Sequence, residues 1–229
     1  MGDVVKALAI ETATTACAIG LLLDDGFVEE RVLDHDRRHT EVLIPSISRV
    51  LKEHGLEVRD LDVILVDRGP GLFTGLRVGI ATAQSLANAV GIGLVGVTSL
   101  EVLAHGAYEA GVRGRFTGLV DGRRGEVFVQ SFDLIDASDA IDEPSVKTPS
   151  DVVASLKDNE DVTLGGDGAT RYRDIFGGRK NVTIGDFDIP SPASALALAV
   201  HRRPSDVVPA LYLRDADAVA NFTTREKRP

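Results

Sequence analysis

ALAIETATTACAIGLLL, residues 7–23, holds two short apolar runs around one acidic residue and a turn. Ala7–Thr12 reads as a strand with an acidic end at Glu11, Thr12–Thr15 as a turn, and Ala16–Leu23 as the returning strand. Apolar runs of this length, bounded by turn residues, suit buried strands better than helices. Asp25-Gly26 then signals a hairpin, because glycine tolerates positive φ, and Phe27–Leu33 follows as a third strand. Beyond it the period changes. Thr40–His54 carries Leu43, Ile47, Val50 and Leu51 at helical spacing, with Pro45 early, where a first turn tolerates it, and Gly55 as a stop.

Asp62–Val66 reads as a buried strand, Thr74–Val90 as a helix ending at Gly91, Leu94–Val97 as a strand and Ser99–Tyr108 as a helix. Three antiparallel strands feeding parallel strands through helices define a ribonuclease-H-like, or actin-like, half-domain. A short repeat supports a second copy. Ile10-Glu11, a four-residue turn and the strand from Ala16 are echoed by Val120-Asp121, the turn Gly122–Gly125 and the strand Glu126–Phe132. The fold class expected is therefore α/β and actin-like ATPase (ribonuclease-H-like), with two lobes, the second reduced. Residues 1–104 form the first lobe, 105–213 the smaller one, and 214–229 a tail that frays. In the second half Ser150–Leu156, Ala169–Phe176 and Ser191–His201 read as helices, Val162–Leu164 as a strand and Asp136–Pro149 as a polar loop.

At 44% hydrophobic and 26% charged, the composition is that of a globular protein with a sizeable core. Aromatics are only 5% and tryptophan is absent, so that core rests on Val, Leu, Ile and Ala. A net charge of −10 argues against autonomous nucleic-acid binding, although a basic face can be local. The single cysteine, Cys17, excludes an internal disulfide and a cysteine metal cluster. The beginning MGDVVKALAI lacks the basic segment of a signal peptide, and no apolar run reaches the length of a membrane span, so a soluble cytoplasmic protein is expected.

DRGPGLFTGLRVGIATA, residues 67–83, is the densest feature. Glycines before a helix suggest phosphate binding, but Thr74-Gly75-Leu76 lacks the lysine of a Walker A motif, and Thr74 occupies the third glycine position of a dinucleotide fingerprint. A tight strand-to-helix connection is the plainer account. Gly75, Gly79, Ala83 and Ala87 form a stripe of small residues along the helix. Such a stripe serves either close packing inside the fold or a subunit interface flanked by Leu76, Ile80 and Val90. Of the two acidic turns, Glu11–Thr14 has no glycine, while Asp121-Gly122-Arg123-Arg124-Gly125 does; with Gly165-Gly166-Asp167-Gly168 they mark a nucleotide side or simple turns. No His-x-x-x-His pair favours zinc or iron, no Gly-x-Ser-x-Gly elbow is present, and Cys17 reads as a small core residue.

LAIETATTACAIGLL, HTEVLIPSISRVL, RGPGLFTGLRVGIATAQSLA, GVTSLEVLA, DGRRGEVFVQSF and PALYLRDAD resemble, in this order, successive blocks of the TsaB (YeaZ) family over nearly the whole chain. The family more often has Asp at Glu11 and Ser at Leu72. The resemblance implies a non-catalytic subunit paired with TsaD, which threonylcarbamoylates the adenosine next to the anticodon of ANN-decoding tRNAs. A TsaE-like ATPase is a further partner, tRNA is met only through the complex, and the chain alone forms a homodimer. No metal or cofactor is implied, and a nucleotide only in the joint complex. The catalytic paralogue's His-Met-Glu-Gly-His metal motif falls on Ser99 through Leu103, so Ser99 and Leu103 replace both ligands. The implied partner interface lies on the helices Thr40–His54 and Thr74–Val90, with His39, Leu43, Ile47, Phe73, Leu76, Gly79, Ile80, Ala83 and Ala87; Glu11, Asp121, Gly122 and Gly166 mark the vestigial nucleotide side. The alternatives are a stand-alone actin-like ATPase or kinase and, behind it, a peptidase.

Overall fold

The computed structural model describes residues 5–23, 28–33, 39–199 and 202–214. The first lobe runs β1 (Ala7–Glu11), β2 (Cys17–Leu22), β3 (Val28–Leu33), α1 (His39–Glu53), β4 (Val63–Asp67), α2 (Phe73–Val90) and β5 (Gly93–Val97). Its sheet has the order β3-β2-β1-β4-β5. The first three strands are antiparallel and β1, β4 and β5 parallel, with Ile10 between Ile19 and Val66. β1 is buried along its whole length because helices cover both faces, which explains its unbroken apolar run.

The second lobe repeats the plan. After α3 (Ser99–Glu109) come β6 (Arg115–Arg123), β7 (Glu126–Asp133), β8 (Asp139–Ala140), β9 (Ser145–Lys147), α4 (Pro149–Ser155), β10 (Val162–Gly165), α5 (Asp167–Arg171), α6 (Arg173–Phe176), β11 (Val182–Ile184) and α7 (Pro192–Ala199). The sheet order is β11-β10-β6-β7, with β8 and β9 both on the outer edge of β7. β6 and β7 are antiparallel, and β6, β10 and β11 are parallel, so the strand order of the first lobe recurs. Two ribonuclease-H-like lobes in tandem make this the actin-like fold. The second copy is the reduced one: 7, 5 and 4 residues in α4, α5 and α6 stand where α1 and α2 have 15 and 18.

Several local expectations are revised. Asp136–Pro149 is not a plain loop, because its polar segments β8 and β9 pair through backbone groups with β7. Ala169–Phe176 divides at Tyr172 into α5 and α6, and β11 was not expected. Pro45 lies inside α1 beyond the first turn, where the buried Val42, Leu43, Ile47, Val50 and Leu51 hold the helix on the sheet despite the missing donor. The Asp25-Gly26 hairpin turn, residues 200 and 201 of the last helix and residues 215–229 of the tail lie outside the described residues.

The two lobes exchange helices. α3 follows the last strand of the first sheet but buries Leu100, Leu103, Ala104 and Ala107 against Phe116, Val120, Phe128 and Phe132 of the second. α7 follows the last strand of the second sheet and buries Leu196 and Ala199 against Ala7, Ala9, Leu65 and Val95 of the first. α3 starts in a capping box: the Thr98 hydroxyl accepts from Glu101 N–H at 3.2 Å, and Thr98 N–H donates to Glu101 Oε2 at 2.9 Å. Arg202, beyond α7, reaches the same carboxylate at 3.1 Å and ties the two exchanged helices together.

Candidate functional site

The β1–β2 turn and the start of α2 fill each other's space. Leu72 N–H donates to Ala13 carbonyl at 2.6 Å, and the Thr12 hydroxyl donates to Gly75 carbonyl at 2.9 Å. A methyl group on Gly71, Gly75 or Gly79 would run into the Ala13 carbonyl, the Thr12 carbonyl or the Thr12 hydroxyl, respectively. The glycines of the Gly-Pro-Gly block thus let the helix close on the turn, and the turn occupies the place where a phosphate would meet the helix N-terminus.

The small-residue stripe is internal packing. Gly75, Leu76, Gly79, Ala83 and Ala87 are all buried, as are Leu43 and Ile47 on α1. Leu43, Ile47, Leu76, Gly79, Ala83 and Ala87, expected at a partner interface, are thus buried within this chain, each helix turning its apolar face to its own sheet. His39, Phe73 and Ile80 are half-buried, and His39 Nε2 lies 3.4 Å from Thr15 carbonyl. Outward, α1 and α2 present Ile44, Thr74, Arg77 and Ala81 together with polar and charged residues such as Glu41, Ser48, Arg49, Lys52 and Ser85.

Glu11, at the end of β1, and Asp67, at the end of β4, form a buried acidic pair, 3% and 2% exposed. Burial, then the Asp67 charge and a hydrogen bond to Asp67, push the Glu11 carboxyl well above its usual range. Burial raises Asp67 as well. Asp67 Oδ1 accepts from Gly69 N–H at 2.7 Å and from the Ser99 hydroxyl at 2.9 Å, and Glu11 Oε1 accepts from Ala13 N–H at 2.8 Å. These donors fix the two loops around the pair, while Asp67 Oδ2 is buried without a hydrogen-bond partner among the described residues. The Pro70 carbonyl also lies 3.0 Å from the Ser99 hydroxyl oxygen, and Leu103 lies in the core of the second lobe. Among the described residues no group of three or more His, Cys, Asp or Glu side chains is placed to hold a metal ion. Cys17 is fully buried in the first core, and burial pushes its thiol up to about 12.

Asp121 is the counterpart of Glu11 but opens differently. Its carboxylate accepts from Arg123 N–H at 3.0 Å and pairs with the Arg123 guanidinium at 3.0 Å and with Arg171 at 3.5 Å. Its own N–H donates to Asp167 Oδ1 at 2.8 Å. Gly166 is buried with φ of 107°, and a methyl group there would strike the Leu119 carbonyl, so this glycine turn serves packing on β6. The structure thus separates the four expected nucleotide-side residues: Glu11 and Gly166 lie inside, while Asp121 and Gly122 border a cleft of about 600 Å³ between the lobes. Sequence reasoning did not find Asp67 as the partner of Glu11 or Ser99 as its donor, because the parallel pairing of β4 with β1 brings Glu11 there and that with β5 brings Ser99.

The family model described as TsaD: tRNA N6-adenosine threonylcarbamoyltransferase matches residues 30–183. The chain is 37% identical over 123 residues to the tRNA threonylcarbamoyladenosine biosynthesis protein TsaB of Escherichia coli K12, covering 54% of this chain and 53% of that protein, so the match spans about half of that relative's length. It is 29% identical over 237 residues to TsaB of Bacillus subtilis, covering 96% and 99% of the two chains. The solved structure of YeaZ from Pseudomonas aeruginosa superposes with a TM-score of 0.73 at 28% identity, over 85% of this chain and 90% of that one. With the repeated strand order and the glycine block closed on the β1–β2 turn, these likenesses agree: the chain belongs to the TsaB/YeaZ family.

Proposed function

We propose that the chain is a non-catalytic subunit in threonylcarbamoylation of the adenosine next to the anticodon of ANN-decoding tRNAs, and that it docks a TsaD-like catalytic subunit through the outer faces of α1 and α2. A TsaE-like ATPase and tRNA join through that complex, in the cytoplasm, and the same face pairs with itself when the partner is missing. The observation that carries this reading is a pair of apolar grooves on one surface. One lies between α1 and α2, about 480 Å³, and is lined by Thr40, Ile44, Phe73 and Val78. The other is about 640 Å³ and is lined by Ile44, Leu56, Val58 and Leu86. Ile44 stands between them, 59% exposed, on a helix whose inner face is fully used. Apolar grooves on two adjacent helices, bordered by Arg77 in one and by Lys52, Glu57 and Arg59 in the other, have the form of a helix-packing interface with a polar rim.

The reading gains from the relatives named for tRNA threonylcarbamoyladenosine biosynthesis and from the filled phosphate position at the start of α2, which leaves little room for stand-alone nucleotide hydrolysis there. The test is Ile44→Arg. An exposed side chain can change without unfolding the monomer, yet a guanidinium forced into an apolar contact weakens binding by about 100-fold or more. The variant should melt like the parent, fail to co-purify with the TsaD-like subunit and fail to support modification in a reconstituted system. Normal partner binding by a folded Ile44→Arg chain would refute this docking face.

A further inference from the structure

After α7 the chain runs back over both lobes as an irregular strap, residues 202–214. Its first half lies along the edge of the first sheet. Ser205 and Leu94 of β5 exchange backbone hydrogen bonds at 2.9 and 2.8 Å, and Gln84 of α2 donates to Asp206 carbonyl at 2.6 Å. Pro204 sits so close on Gly93 that a methyl group there would strike it, and Val208 is buried in the first core. The second half leaves that edge. Leu211 N–H donates to Arg68 carbonyl at 2.7 Å, and Leu213 packs on the core of the second lobe. Arg214 then bonds Glu126 at 2.7 Å and Gly122 carbonyl at 3.0 Å. The strap is thus fastened to both lobes, and Tyr212 lies between the two fastenings.

Tyr212 stays 45% exposed, yet its ring leans on Phe73 with centroids 5.2 Å apart, and the Arg77 guanidinium lies 3.8 Å over the Phe73 ring. Phe73 and Arg77 line the groove between α1 and α2, whereas Tyr212 and Arg214 do not. Tyr212 therefore backs the wall of that groove from behind. α2 starts at Phe73 without a side-chain cap, so this ring is held by what packs on it. A half-buried ring with nothing against it samples several rotamers. A groove whose wall is correctly formed for only part of the time binds its partner more weakly by that fraction.

We propose that residues 202–214 are a brace for the docking face: the tie of Arg214 to Glu126 holds Tyr212 on Phe73, and Tyr212 fixes the wall of the α1–α2 groove in the form that a partner helix fits. Tyr212 and Arg214 are then positioning residues, acting on docking from outside the surface that is docked. The second lobe thereby takes part in an interface built wholly from helices of the first. The inference rests on the docking face proposed above, and its test separates the two.

Affinity for the TsaD-like subunit is measured by calorimetry on the full chain carrying Tyr212→Ala, Tyr212→Phe, Arg214→Ala, or Tyr212→Ala with Arg214→Ala. Tyr212→Ala should weaken binding about tenfold and Arg214→Ala about threefold, the scale of one aromatic contact and of one partly exposed ion pair. Tyr212→Phe keeps the ring and should bind like the parent. Once Tyr212 is gone Arg214 has no ring to hold, so the double variant should bind no more weakly than Tyr212→Ala alone. In the chain by itself, Arg214→Ala should speed chymotrypsin cleavage after Tyr212, identified by fragment mass, about threefold or more. Parent-like affinity of Arg214→Ala, or full additivity in the double variant, overturns the brace, while Ile44→Arg measured beside them reports on the docking face itself. Equal cleavage rates overturn it too, whatever the partner does.

Discussion

Asp167, at the first position of α5, is held by geometry that suits its neutral form. Burial pushes its carboxyl from 3.8 up to about 6; the Asp121 N–H and Arg123 pull it down and the Asp121 charge adds to the rise. Since its pKa is raised on folding, the group lends stability that is complete below about pH 4 and lost as pH rises through about 6. Asp167→Asn keeps an oxygen for the Asp121 N–H and removes the titration. The variant should gain on the parent between pH 4 and 6 and hold a lead of at most about 3 kcal/mol above that. Chemical denaturation at four pH values reads the difference, and parallel curves would show that Asp167 does not titrate in this window. Glu11 works in the same sense. The sequence marked Glu11 and Asp121 by their position before a turn but did not pair them with Asp67 and Asp167, since that proximity arises only when β4 pairs with β1 and when α5 packs on β6.

Along α2, spacing alone could not separate packing within the fold from packing against a partner. Small residues every fourth position produce the same stripe in both cases, and only the contact with Thr12 settles which one applies. Ala83 has no exposed surface, so Ala83→Arg should prevent folding, at a cost above about 4 kcal/mol. Soluble yield and circular dichroism check this, against Ile44→Arg as the folded control. A soluble, helical Ala83→Arg chain would mean that α2 can lift from the sheet. α3 offers a gentler case. Thr98→Ala removes the hydroxyl of the capping box and should lower stability by about 1 kcal/mol, read as a shift of the denaturation midpoint with unchanged slope. An unchanged midpoint would place the anchoring of α3 wholly in its apolar face. The end of α2 was legible, because a glycine, Gly91 at φ 76°, closes it, whereas the Thr98–Glu101 capping pair at the start of α3 was not picked out. β8 and β9 were not, since edge pairing uses backbone groups that any polar sequence carries.

For the whole molecule, the exchange of α3 and α7 makes each half dependent on the other. A chain opened in the link between Glu109 and Arg115 would leave the first piece with Leu100, Leu103 and Ala107 facing water and its own sheet without α7. The second piece would carry the complementary defect. Neither fragment should fold when made alone, whereas the two expressed together should assemble without the peptide link, with a melting transition that depends on concentration. A fragment that folds by itself would show that the lobes are separable. The duplicated plan should thus behave as an obligate dimer whose subunits happen to share one backbone. A mutation that loosens either exchanged helix should therefore melt both sheets in a single transition, and proteolysis should yield either the intact chain or small peptides, with no surviving half.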